Sequence, residues 1–214
     1  MTNATHITYL FDPLCGWCYG ASPVMDKLSA LPDFTIQYIP TGLFAGEGAR
    51  PMDAGFAAYA WSNDQRISRL TGQVFSEDYR RRILADHTHM FDSGPATLAI
   101  TAVALFDAAR VQETIKAIQH ARYVEGRDTT NMIVLADILK DLDLEKAAER
   151  ILAPDKTLHD SYRQNLQMAR TAMHRFNIQG VPALIVGTSK NRRALGASAL
   201  FTDMATLLAS LKNT

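Results

Sequence analysis

Cys15-Gly16-Trp17-Cys18 is a Cys-x-x-Cys tetrapeptide that closes a strand-like apolar run, His6 to Phe11, and opens a helix-like one; it holds the only two cysteines of the 214-residue chain. If the helix begins near Gly16, Cys15 stands at its N-terminus. Unpaired backbone N–H groups and the positive end of the helix dipole favour an anion there. The thiolate is the nucleophile of disulfide exchange, so this placement raises reactivity at neutral pH. Cys18 lies one turn further in on the same face. From there it can pair with Cys15 or attack a mixed disulfide held on it.

A lone CxxC is also half of a structural zinc site, but tetrahedral zinc takes four ligands and no second CxxC or CxxH exists. His87 and His89, spaced i, i+2, would point apart on a helix. No metal site is therefore predicted. Two inert buried cysteines are the other alternative, and the strand-to-helix context favours redox use over it.

With 47% hydrophobic residues, the chain can bury a sizeable core as one large domain or two small ones, without disulfide staples. Lys+Arg and Asp+Glu both number 22, and the zero net charge argues against a nucleic-acid partner or a polybasic membrane anchor. Arg80-Arg81-Arg82 is the densest basic run, and at helical spacing it fans out as a solvated face. Met1 to Phe11 has no charged leader followed by a long apolar stretch. No run approaches the roughly 18 apolar residues of a membrane helix. The expected address is cytoplasmic, where a cycling disulfide is at home and a persistent one is not.

His6 to Phe11 reads as a strand, stopped by Asp12-Pro13. Cys18, Ala21, Met25, Leu28 and Leu31 then recur at helical spacing. Pro23 removes the hydrogen bond to the Tyr19 carbonyl and predicts a kink, at about 3 kcal/mol if nothing compensates. Phe34 to Ile39 alternates as a second strand, completing a βαβ unit. From Ala45 to Asn177 strand signals vanish, with helix breaks near Gly72, Gly94-Pro95, Gly126 and Pro154. Four helices are predicted after Ser93, carrying Leu98 to Phe106, Val111 to Ile118, Ile133 to Leu142 and Leu158 to Phe176. Their apolar stripes are expected to be core. Ala183 to Val186 is a strand, Gly187 to Asn191 a polar turn, Arg193 to Leu195 its hairpin partner, and Leu200 to Leu211 a closing amphipathic helix. The two ends are α/β and the middle is helical.

This layout resembles the DsbA family of the thioredoxin superfamily, in particular its cytosolic FrnE-like branch, over nearly the whole chain. The residues that carry the likeness are Asp12 to Tyr19, Pro23, Tyr123-Val124-Glu125-Gly126-Arg127-Asp128 and Gly180-Val181-Pro182-Ala183. The resemblance implies a thioredoxin fold, a mixed β-sheet with flanking helices, interrupted by an all-helical insertion. Residues 1–44 and 178–214 would form the thioredoxin-like domain and 45–177 the insertion. It implies a thiol-disulfide oxidoreductase with Cys15 as exposed nucleophile and Cys18 as buried resolving thiol. A cis Val181–Pro182 bond would face both, and Pro182 would shape the groove. The backbone of Val181 would pair with an extended substrate. Gly196 would border that groove and Trp17 would form its apolar rim, or else be a partly exposed aromatic at a helix start. No cofactor is implied beyond glutathione as a redox partner. The partner is a disulfide- or thiol-containing protein or small molecule.

The chain departs from the family at Tyr9, where many relatives have a buried acid that relays protons to the resolving thiol. Asp12 is the nearest acid, either a substitute or simply the turn's initiator. Gly16 and Trp17 bring no cationic charge between the cysteines. A potential nearer the roughly −270 mV of thioredoxin than the roughly −120 mV of DsbA is therefore predicted. A second reading is a glutathione-dependent isomerase or kappa-class transferase, of which 2-hydroxychromene-2-carboxylate isomerase is one type. These often have serine where Cys15 stands, and the intact CxxC weighs against them. A third is a non-catalytic thioredoxin-like binding module.

Overall fold

The computed structural model describes residues 4–188 and 191–212. β1 (Thr5–Phe11) leads through a short turn into α1 (Gly16–Ser29), and β2 (Phe34–Pro40) returns parallel to β1, Thr5 opposite Phe34 and Phe11 opposite Pro40. The chain then leaves the sheet. β3 (Arg50–Pro51), α2 (Ala54–Thr71) and α3 (Glu77–Tyr79) follow, the last running into a π-helical turn over Arg80–Leu84. β4 (Met90–Phe91) pairs antiparallel with β3, and α4 (Gly94–Phe106), α5 (Val111–Tyr123), α6 (Met132–Asp141), α7 (Glu145–Leu152) and α8 (Lys156–Arg175) complete the excursion. β5 (Ala183–Val186) and β6 (Arg193–Leu195) rejoin the sheet, and α9 (Met204–Lys212) closes the described chain. The sheet order is β2-β1-β5-β6, with β5 antiparallel to both neighbours.

Side chains that alternate with period two divide the strands between two cores. Ile7, Tyr9 and Phe11 of β1 join Leu184 and Val186 of β5 in the larger core, with Cys18, Ala21, Met25 and Leu28 of α1. Leu10, Ile39, Ala183 and Ile185 face the other way, against Ala169 of α8. Each such fully buried aliphatic side chain contributes about 1.5–3 kcal/mol. The last helix of the excursion thus covers the second face of the sheet. α4 is buried from Ala96 through Val103, on every side, so it is the axis around which α5 to α8 pack.

Several sequence expectations change in detail. One pair of two-residue strands, Arg50 opposite Phe91 and Pro51 opposite Met90, interrupts the otherwise helical stretch. Elements so short carry no periodic signal. α7 follows α6 after a tight turn and is not separated from it by any Pro or Gly. Leu105, Phe106 and Ile133, assigned to core stripes, are exposed, and Arg150 lies over the Phe106 ring at 5.3 Å. The closing helix is split: a 3-10 turn over Ala197–Phe201 comes first, and α9 begins only at Met204, where Asp203 accepts from the Thr206 N–H at 2.9 Å. His87 and His89 sit in a turn rather than on a helix. Arg80, Arg81 and Arg82 are solvated and pair with Glu77 or Asp78. Ser189 and Lys190 of the predicted turn, and Met1 to Asn3 of the leader reading, lie outside the described residues.

Pro23 lies inside α1 and the helix continues through it. The Tyr19 carbonyl that it deprives of a donor receives the Gln73 amide instead, Nε2 to O at 3.0 Å. The same nitrogen reaches the Ser22 hydroxyl at 3.0 Å, so one side chain from beyond α2 fills the gap. α2 can come this close because Gly16 and Gly20 lack a Cβ. An added Cβ would meet Asp64 Oδ1 at 2.6 Å from Gly16 and Ile67 Cγ2 at 2.6 Å from Gly20.

Candidate active site

The turn between β1 and α1 is built by Asp12. Its Oδ1 accepts from the Leu14 N–H at 2.9 Å, while its carbonyl accepts from the Cys15 N–H at 3.1 Å. Its Oδ2 accepts from the Ser93 hydroxyl at 2.7 Å and the Phe44 N–H at 3.2 Å, tying the helical excursion to the turn. Burial pushes the Asp12 carboxyl up, and these donors oppose the shift. Both oxygens are therefore engaged in fixing the turn. Cys15 is the N-cap of α1 with extended backbone, and Gly16 is the first helical residue. The sulfur thus occupies the position on which the helix dipole acts most strongly.

The Cys15 thiol donates to the Val181 carbonyl at 3.6 Å, and the Val181–Pro182 bond is cis. The segment predicted to face the dithiol does face it. Cys18 is adjacent to Cys15, and burial first, then the neighbouring Cys15 sulfur, pushes its thiol well up. Cys15 itself is not the exposed group the resemblance implied. It is 7% exposed against 1% for Cys18. The Tyr9 hydroxyl donates to the Cys18 carbonyl at 3.5 Å, a long contact, and burial pushes its own ionisation far up.

Cys15 is reached through a cleft of about 290 Å³. Leu14, Gly16 and Trp17 form one side, and the opposite wall comes from the helical excursion, notably Phe56, Asn63 and Asp64. Trp17 is half-buried on the rim, its ring 5.2 Å from Phe201 at 73° and under Arg66 at 5.7 Å. Gly196 is exposed at the start of the 3-10 turn, where an added Cβ would meet no atom within 4 Å; Phe201, from the end of that turn, supplies the contact with Trp17 of α1. Val181, which meets Cys15 through its carbonyl, is not among the residues that line this cleft.

The cleft wall contains groups that sequence reasoning missed. Asp64 is buried, accepts from the Tyr79 hydroxyl at 3.0 Å, and has its carboxyl pushed up to about 7 by burial against that hydrogen bond and the charge of Arg122. Arg122 is buried under the rings of Tyr79, Phe91 and Tyr123, at 5.7, 5.3 and 6.0 Å. Tyr123 donates to the Leu14 carbonyl at 2.8 Å and stacks on Tyr19 at 4.8 Å, so it anchors the residue just before Cys15. Tyr123 opens one of the motifs that carried the family likeness, the one available signal. Asp64 lies in the polar stretch Ser62 to Arg66 of α2, and the residue types around it do not mark it as buried. Among the described residues no group of three His, Cys, Asp or Glu is placed to hold a metal ion, and no helix is long and apolar enough to cross a membrane.

No curated protein matches the chain in sequence. Among solved structures it is similar to the cytosolic disulfide reductase DsbM from Pseudomonas aeruginosa, with 30% identity, a TM-score of 0.84 and 97% of each chain covered. A second structure of that protein, with GSH, superposes with a TM-score of 0.82, again at 30% identity and with 97% of each chain covered. A putative protein disulfide isomerase from Nitrosomonas europaea shares the fold at 23% identity and a TM-score of 0.76, with 97% of both chains covered. The family model of the DSBA-like thioredoxin domain matches residues 6–207, and the chain belongs to that family.

Proposed function

We propose that Cys15 attacks a substrate disulfide and Cys18 resolves the resulting mixed disulfide, making this a thiol-disulfide oxidoreductase of the DsbA type. The observation that carries this reading is the dithiol at the α1 N-terminus with the Val181 carbonyl 3.6 Å from the Cys15 sulfur. The intact pair of sulfurs favours disulfide exchange over a glutathione-dependent isomerase or transferase, which has no need of Cys18. Val181 and Pro182 are the proposed docking edge for an extended substrate backbone. Trp17 is the proposed apolar rim of the groove; Gly196 contributes through the position it gives the 3-10 turn.

Glutathione is the proposed redox partner, since a DsbM structure carries it and the cleft offers the cation of Arg50 to a peptide of net negative charge. A reducing direction and a cytosolic address accord with that relative and with a dithiol lacking any cationic residue between its sulfurs. The balance of 22 basic and 22 acidic residues gives no basis for a nucleic-acid or membrane partner. In the Cys18→Ala variant the mixed disulfide has no resolving thiol. Incubation with oxidised glutathione should leave one glutathione on Cys15 by intact-protein mass, released by dithiothreitol. A variant that stays unmodified would reject Cys15 as the nucleophile.

A further inference from the structure

Disulfide exchange at this dithiol, on which the following rests, requires Cys18 to lose its proton before it can resolve a mixed disulfide. Its neighbours Tyr9 and Asp12 are buried, so neither hands a proton directly to solvent. Cys18 is faced by Cys15 on its own helix, Tyr9 on β1 and Asp12 in the turn before α1. Tyr9 is buried and holds its own proton, and both Asp12 oxygens already take donors.

A second, narrow chamber of about 10 Å³ borders Cys18; Tyr9, Tyr38 and Gln119 bound it as well, and it extends to Asp26 and Lys116. Gln119 is 1% exposed, and neither atom of its amide has a hydrogen-bond partner among the described residues; nor has the Tyr38 hydroxyl. Leaving three buried polar atoms unpaired would cost about 1–3 kcal/mol each. Both residues line a single chamber whose size is that of one water, for which about 10–15 Å³ suffices. At its outer end the Asp26 carboxylate accepts from Gln112 Nε2 at 2.7 Å and Lys116 Nζ at 2.7 Å, and is 37% exposed.

We propose that Gln119 and Tyr38 hold a water in this chamber, and that the Cys18 proton leaves through it toward Asp26. The S–H bond of Cys18 breaks, its proton passes to the water, and the water delivers a proton to the Asp26 carboxylate and so to solvent. The freed electron pair forms the Cys15–Cys18 bond as the bond from Cys15 to the substrate sulfur breaks. The substrate leaves as a thiolate and takes a proton from solvent. The dithiol loses two electrons and the substrate disulfide gains them, with no other reactant. Gln119 and Tyr38 are positioning residues in this scheme, and Asp26 is the outlet.

Reduced protein mixed with equimolar dithiobis(nitrobenzoate) in a stopped-flow instrument releases one thionitrobenzoate when Cys15 attacks and a second when Cys18 resolves. Gln119→Leu should slow the second release about tenfold or more and leave the first within about twofold, as expected for loss of a proton-transfer path. Gln119→Glu, which keeps a polar side chain at the chamber, should restore the second release. Asp26→Asn, at the surface, should slow the second release several-fold and shift its pH midpoint. The proposal is overturned if Gln119→Leu, or Asp26→Asn where the former does not fold, keeps the wild-type second release, or if both releases slow equally. Absence of the first release from the wild-type protein would instead remove the dithiol reading itself.

Discussion

The two cysteines are one helical turn apart and open onto different surroundings. Cys15 borders a cleft of about 290 Å³ with aromatic walls, most of them from the helical excursion; Cys18 borders a narrow chamber of about 10 Å³ whose polar atoms lie between α1, β2 and α5. Chemistry explains the asymmetry. The first sulfur must admit a foreign disulfide, which demands volume, and the second needs only to reach its neighbour and shed a proton. The same three-residue spacing on one helix serves both because the elements packed around that helix differ on its two sides.

The comparison breaks most visibly at the sulfurs. Cys15→Ser should reduce disulfide reduction by about 10⁴-fold or more, the scale on which loss of a nucleophile acts. Insulin turbidity with dithiothreitol checks this, and residual turnover within tenfold would mean that the cleft side is not where exchange begins.

The next effect concerns Asp64, whose carboxyl burial pushes up to about 7. The unfolded chain binds that proton only below about 3.9, so the folded state holds it more tightly across the window between. The contribution of Asp64 to stability is therefore fully present below about 4 and is lost as pH rises toward 7 and just beyond. Asp64→Asn still accepts from Tyr79 and has no charge to bury. It should gain on the wild type as pH rises, by on the order of 4 kcal/mol at pH 8, since each tenfold difference in proton affinity between the folded and unfolded chain is worth ~1.36 kcal/mol. Urea midpoints across pH 4 to 8 read the difference, and parallel curves would show that Asp64 is solvated. With Asp64 neutralised, an anionic disulfide such as oxidised glutathione should also react faster at pH 8.

Gly16→Ala is the smallest change. Its Cβ would lie 2.6 Å from Asp64 Oδ1 and 3.2 Å from Ile67 Cδ1, and Asp64 is pinned by Tyr79. Overpacking of this kind costs about 1–3 kcal/mol, against a helix-propensity gain of roughly 0.5–1 kcal/mol. A net loss near ~1 kcal/mol in chemical denaturation is expected from that difference, and a gain would mean that α2 is free to move away from the first turn of α1.

Much of this was legible in the residues because it is local. β1, α1, β2, β5 and β6 follow from period-two and period-3.6 patterns a few residues long, and Ser93, Gly94 and Pro95 mark the start of α4. Cys15 at a helix N-terminus needed only the strand-to-helix switch around it. The rescue of Pro23 by Gln73 could not be seen, since the two are 50 residues apart in sequence and meet only through the packing of α2 on α1. Asp64 was invisible for the same reason, and so was Gln119, whose helix looks merely amphipathic.

The chain by itself therefore determined the chemistry available: two sulfurs at the mouth of one helix, a Val-Pro segment ahead of a strand, and a helical middle. Only the tertiary structure decided which surroundings each sulfur meets. Cleft and chamber are spaces between elements distant in sequence, and their volume, exposure and unpaired polar atoms are set by how those elements pack. No local pattern of side chains encodes that packing, because burial is a property of neighbours that the chain brings together only on folding.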